Sequence, residues 1–169
     1  MTEKPAGDGE FAGGPTLLAE LELPERLVVW AFRCWIAPSS LKSYVHREFE
    51  RRFGSRDSER AVREFARFVE TLHGEARRLL HFHHPCCPCV GCDEMVILAL
   101  LASAQAADNE AVHAAAHALT GASRIVPLLS VSHALAARLA DNDLFLPPRQ
   151  AGRLAVMAVN DNARRPWLQ

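Results

Sequence analysis

Residues 81–105 read HFHHPCCPCVGCDEMVILALLASAQ. The second half of this stretch decides the fold. Met95 to Ala104 is the longest apolar run, with Ser103 its one polar residue and Asp93 placed to cap it, and it never alternates with the two-residue period of a half-buried strand. A bilayer-spanning helix needs about 20 apolar residues, so a run half that length predicts a helix buried in a protein core.

Working outward from that helix, every neighbouring segment carries helix punctuation. Asp108 is placed to cap a following helix, NEAVHAAAHALTG, with Gly121 as its stop. A further helix is expected from about Pro127 to Ala140. A last one starts near PPRQAGRL and fades into NDNARRPWLQ.

In the other direction, a long helix is predicted from a cap at Asp57 or Ser58 to about His83. Its core face is Val62, Phe65, Val69, Leu72, Ala76 and Leu79, and Pro85 disfavours helix at His84. A shorter helix is expected from Ser40 to Phe53 with Gly54 as its stop. The segment LPERLVVWAFRCWIAP, residues 23–38, begins with a tolerated proline and carries Leu27, Trp30, Ala31, Cys34 and Trp35 on one stripe.

The expected architecture is all-α. Six to seven helices form a single domain over residues 16–162, with a disordered arm over 1–15, a tail over 163–169, and a Cys/Pro-rich loop between the third and fourth helices. At 169 residues such a domain buries roughly 70% of its unfolded surface and needs no covalent staple.

Composition excludes more than it suggests. Charged residues are 23% of the chain and the net charge is -1, too weak a field to imply nucleic acid or acidic lipid as a partner. Residues 42–78 hold ten Lys or Arg against seven Asp or Glu. Glu48 with Arg52, Glu59 with Arg63, and Arg60 with Glu64 stand at helical i, i+4 spacing, so a self-neutralised solvated face is expected there. The opening MTEKPAGDGEFAGGPT has no basic stretch leading into an apolar one, and a cytoplasmic protein with no membrane segment is the expectation. A protein partner or a second copy of the chain is the partner class left open.

The chemistry is concentrated in the first half of the quoted stretch. Four of the five cysteines lie between Cys86 and Cys92, too close together to cross-link distant parts of a fold. Cys86, Cys89 and Cys92 are spaced i, i+3, i+6, giving two overlapping C-x-x-C pairs, while Pro85, Pro88 and Gly91 keep the segment out of helix. A tight turn of this kind can aim two thiolates at one ion. Cys87 must point elsewhere, because adjacent side chains diverge.

His113 and His117, four apart on a helix, share a face and can grip a metal together. With His84, the expected metal set is therefore Cys86, Cys89, Cys92, His113, His117 and His84, and the ligand chemistry fits zinc. An apolar helix fills the 20 residues from Cys92 to His113, so the pattern is not that of a DNA-binding finger. An iron–sulfur run would require cysteine where Val96 stands, which makes a cluster the lesser cofactor reading. Two other classes remain: a thiol-redox protein using Cys86, Cys87, Cys89 and Cys92, and a zinc enzyme with Glu94 or Glu48 as base. For the last, His46-Arg47-Glu48 and a later Pro-Cys-x-x-Cys resemble the short strings of zinc deaminases, without the intervening strands of that fold.

The string HPCCPCVGCDE followed by LALLASAQ also resembles a small uncharacterised family of bacterial helical proteins with a Pro-Cys-Cys motif before an Asp-Glu-initiated helix. The likeness covers roughly residues 75–148. It implies a helical fold and no mechanism. The leading functional expectation is a Cys/His zinc site in the 83–92 loop that serves regulation or protein interaction.

Overall fold

The structure is a computed structural model that describes residues 16–38, 41–121 and 124–164. Its elements are a 3-10 turn at Leu18–Glu20 and six helices: α1 (Leu23–Ile36), α2 (Lys42–Glu75), α3 (Cys92–Gln105), α4 (Asn109–Thr120), α5 (Val126–Ala140) and α6 (Ala151–Arg164). Among the described residues there is no strand, only an isolated antiparallel bridge between Leu17 and Cys89. The all-α architecture expected from the apolar periodicity is the one observed. No described helix is long and apolar enough to cross a membrane.

The helix α3 is the centre of the molecule. All of its residues from Asp93 to Ala104 are buried, which is what a helix with an apolar circumference requires. It packs against α4, α5 and α6 and makes a smaller contact with α1, while α2 lies across α5 and α1. An aromatic cluster joins α1 to α2: Phe32 meets Phe65 and Phe68 edge to face, and Phe49 meets Phe65 in the same way. Such pairs add about 0.5–1.5 kcal/mol each beyond the area they bury.

The caps explain the boundaries of α4. Asp108 accepts the Ala111 N–H at 3.1 Å, and Gly121 closes the helix at φ 62°, a left-handed value that a side chain resists.

Three expectations are corrected. Gly54 does interrupt the helical backbone as expected, with φ 72° and ψ 164° at that residue alone, so that two helices joined across a kink make up α2. The expected start of this helix at Ser40 lies outside the described residues. The same helix stops at Glu75, eight residues short of His83, and leaves Leu79 71% exposed where a core position was expected. Its end is set by a competing partner, because the Arg77 N–H donates to the Thr120 carbonyl at the end of α4 at 2.7 Å instead of continuing the helical ladder.

Asp93 is not the cap of α3. Gly91 takes that place, its N–H donating to Glu94 Oε2 at 2.8 Å, and Asp93 points to Arg78. Of the three expected surface pairs, Glu48 with Arg52 and Arg60 with Glu64 form, whereas Glu59 with Arg63 is not among the ion pairs of the described residues. The expected arm, 1–15, and residues 165–169 of the expected tail lie outside the described residues.

Candidate thiol site

The segment 76–91 leaves α2 and runs without regular structure to α3. Two consecutive acids at the start of α3 hold it. Asp93 forms an ion pair with Arg78 and accepts the His81 N–H at 2.8 Å, and Arg78 Nε donates to the Ala118 carbonyl at 2.8 Å. Phe82 packs on Phe32 of α1 with ring centroids 4.7 Å apart.

Past Phe82 the chain winds around a buried cation. Arg33, on α1, has no exposed side-chain surface and makes a two-pronged ion pair with Glu94, Nε to Oε1 at 2.6 Å and Nη2 to Oε2 at 2.8 Å. Its remaining donors reach loop carbonyls: Nη1 to Cys87 at 2.8 Å and to His84 at 3.5 Å, and Nη2 to Cys89 at 2.6 Å. All five N–H groups of the guanidinium are used. Glu94 is equally spent, because it also accepts the His83 N–H at 3.2 Å and the Gly91 N–H at 2.8 Å. A charge buried this deeply is tolerable only with such complete partnering.

From the other side, Leu18 N–H donates to the Pro88 carbonyl at 2.6 Å and Val90 N–H to the Thr16 carbonyl at 2.8 Å. The loop is therefore a scaffolded element, with its backbone turned inward on Arg33 and edged by residues 16–18.

What this scaffold presents outward is a thiol. Cys86 is exposed, and its Sγ lies 2.9 Å from Nδ1 of the exposed His84, a contact in which the imidazole tautomer decides which partner donates. Cys87 and Cys89 are half-buried, and Cys92 opens the first turn of α3, partly packed on the core. Cys34 is buried on α1, and desolvation pushes its thiol pKa up, away from thiolate chemistry.

The six residues expected as a metal set are thus distributed in two groups. His84 and Cys86 meet, and Cys89 and Cys92 lie on the same segment. His113 and His117 are exposed on α4. Among the described residues no three His, Cys, Asp or Glu side chains converge as a metal-holding group. The two candidate bases of the enzyme reading are both committed, Glu94 to Arg33 and Glu48 to Arg51 and Arg52.

Sequence reasoning missed Arg33 altogether. The available signal was a lone arginine beside Cys34 on an otherwise apolar stretch, matched by an Asp-Glu pair directly ahead of an apolar helix. Comparison with protein families, curated proteins and solved structures finds no match to the chain.

Proposed function

We propose that the 81–92 segment is a thiol-exchange site in which Cys86 is the attacking sulfur and His84 its proton partner. The observation that carries this reading is the 2.9 Å contact between His84 Nδ1 and Cys86 Sγ on an exposed loop whose backbone is pinned from within. A thiolate is the reactive form of cysteine, and an imidazole in contact with the sulfur can receive the proton that must leave.

The reaction class is reduction of a disulfide on a protein partner. Cys86 gives its proton to His84 and attacks one sulfur of that disulfide. The partner's S–S bond breaks, a mixed disulfide forms, and the displaced sulfur leaves as a thiolate that takes up a proton. Cys89, completing the C-x-x-C with Cys86, then attacks the Cys86 sulfur and releases the partner's second thiol. Two electrons pass to the partner, and Cys86 and Cys89 end as a disulfide.

A second reading keeps the expected zinc site. It is supported by the same His84 and Cys86 contact, which sets two donors side by side, with Cys89 and Cys92 nearby in sequence. The ligands would have to turn toward a common ion, so the site would assemble on binding.

One experiment separates the two. Protein purified under reducing conditions is assayed for metal, and each thiol is followed by mass spectrometry during alkylation with limiting iodoacetamide. The thiol reading expects Cys86 to be modified first, His84→Ala to slow that modification near neutral pH, and oxidation by a disulfide reagent to remove two hydrogens from the 86–89 pair. Zinc near one per chain, lost in Cys86→Ser and shielding all loop thiols until chelation, removes the first reading in favour of the second.

A further inference from the structure

A cavity of about 340 Å3 opens where the Leu18–Glu20 turn, α1 and the first half of α2 meet. Its apolar surface comes from Leu18, Leu23, Leu27 and Trp30, and Leu23 keeps 40% of its surface exposed. The polar part is Arg26, Glu48 and Arg52. These charges are not equivalent. Glu48 is committed to Arg51 and Arg52 together, so its negative charge is already answered. Arg26 is exposed and makes no side-chain hydrogen bond or ion pair among the described residues.

The cavity therefore combines an apolar wall, an aromatic ring and one uncommitted guanidinium. We propose that it binds a small monocarboxylate with an apolar body, its head on Arg26 and its body along Leu23, Leu27 and Trp30.

Size and charge select this class. Ligand pockets run from roughly 300 to 1,000 Å3, so this one suits a single small molecule and is too small for a helix face of a partner. The guanidinium fork matches a carboxylate with two parallel hydrogen bonds, and one free cation balances one negative charge. A phosphate, which carries about -1.5 to -2 near neutral pH, would be left under-neutralised. The assignment is independent of the thiol reading, since no cysteine lines the cavity.

Decanoate is the probe, titrated into the full-length chain by calorimetry and followed in 15N-labelled protein through the Trp30 indole N–H. Decanol and decyltrimethylammonium supply the same tail with a neutral and a cationic head. The expected result is one decanoate per chain, with decanol at least about tenfold weaker, the equivalent of one charge-assisted hydrogen-bonded contact. The cationic probe should not bind. Arg26→Gln, at an exposed position where folding is not at risk, should bring decanoate down to the affinity of decanol, and Leu23→Asp should weaken both.

The proposal is overturned if decanoate does not bind, if decanol binds as tightly, or if Arg26→Gln leaves the affinity unchanged. It also fails if the shifted resonances lie away from the cavity. Binding seen only after removal of residues 1–15 would give the cavity to that segment and end the proposal as well.

Discussion

Arg33 and Glu94 together hold the cysteine loop to α1 and α3. Every donor of one and both oxygens of the other are engaged, and three of the partners are carbonyls of the cysteine loop. Removing one charge leaves the other buried and unmatched, which typically costs about 3–5 kcal/mol. Glu94→Gln should therefore lower stability by that order in chemical denaturation and raise hydrogen exchange across residues 83–91. A destabilisation below about 1 kcal/mol would mean that water reaches the guanidinium and would remove the clamp from the account of the loop. Arg33→Lys keeps the charge but cannot reproduce the planar fork. It should speed alkylation of the half-buried Cys87 and Cys89 relative to Cys86, as read by peptide mass mapping. Cys34, by contrast, should react only in denaturant, because its thiol is buried and its pKa raised.

At the scale of elements, the bend in α2 and the ends of α4 rest on single residues. Gly54 has φ 72° and ψ 164°, a combination available at low cost only to glycine, and a Cβ built there would meet nothing within 4 Å. Gly54→Ala should thus report backbone strain alone, about 1–3 kcal/mol, with the midpoint of urea unfolding as the measure. An unchanged midpoint would show that α2 can straighten at this point. Asp108→Ala removes the one side-chain cap of α4 and should cost about 1 kcal/mol. The end of α4 also holds Arg77 and Arg78 through the Thr120 and Ala118 carbonyls, so fraying there should loosen the segment that leads to His84 and Cys86.

For the whole molecule the central element is α3, which contacts α1, α4, α5 and α6. Leu100 and Leu101 have no exposed surface, and Leu100→Ala should cost about 2–5 kcal/mol as transfer and cavity terms combine. Because α3 also supplies Asp93 and Glu94, that loss should appear in the cysteine loop as well as in the core. Thermal unfolding monitored by circular dichroism and by alkylation of the half-buried Cys87 and Cys89 should then share one midpoint. Separate midpoints would show that the loop opens as an independent unit.

The sequence alone determined the helical class, the core run from Met95 to Ala104, the Asp108 and Gly121 ends of α4, and the concentration of thiols between Cys86 and Cys92. Each of these rests on local spacing, capping or turn chemistry, which residues a few positions apart decide among themselves. Two boundaries escaped it: α2 ends at Glu75 because Thr120, 43 positions after Arg77, offers a carbonyl, and Asp93 leaves its expected capping role because Arg78 lies within reach. Tertiary structure also decided which thiol faces outward and what holds the loop. Arg33 and Glu94 are 61 residues apart, and only the packing of α1 on α3 turns an arginine in an apolar helix into the centre of the cysteine loop. Long-range electrostatic pairing of this kind leaves no periodic trace in the chain, since the cost of burying each charge is offset by a partner that only the assembled core brings near.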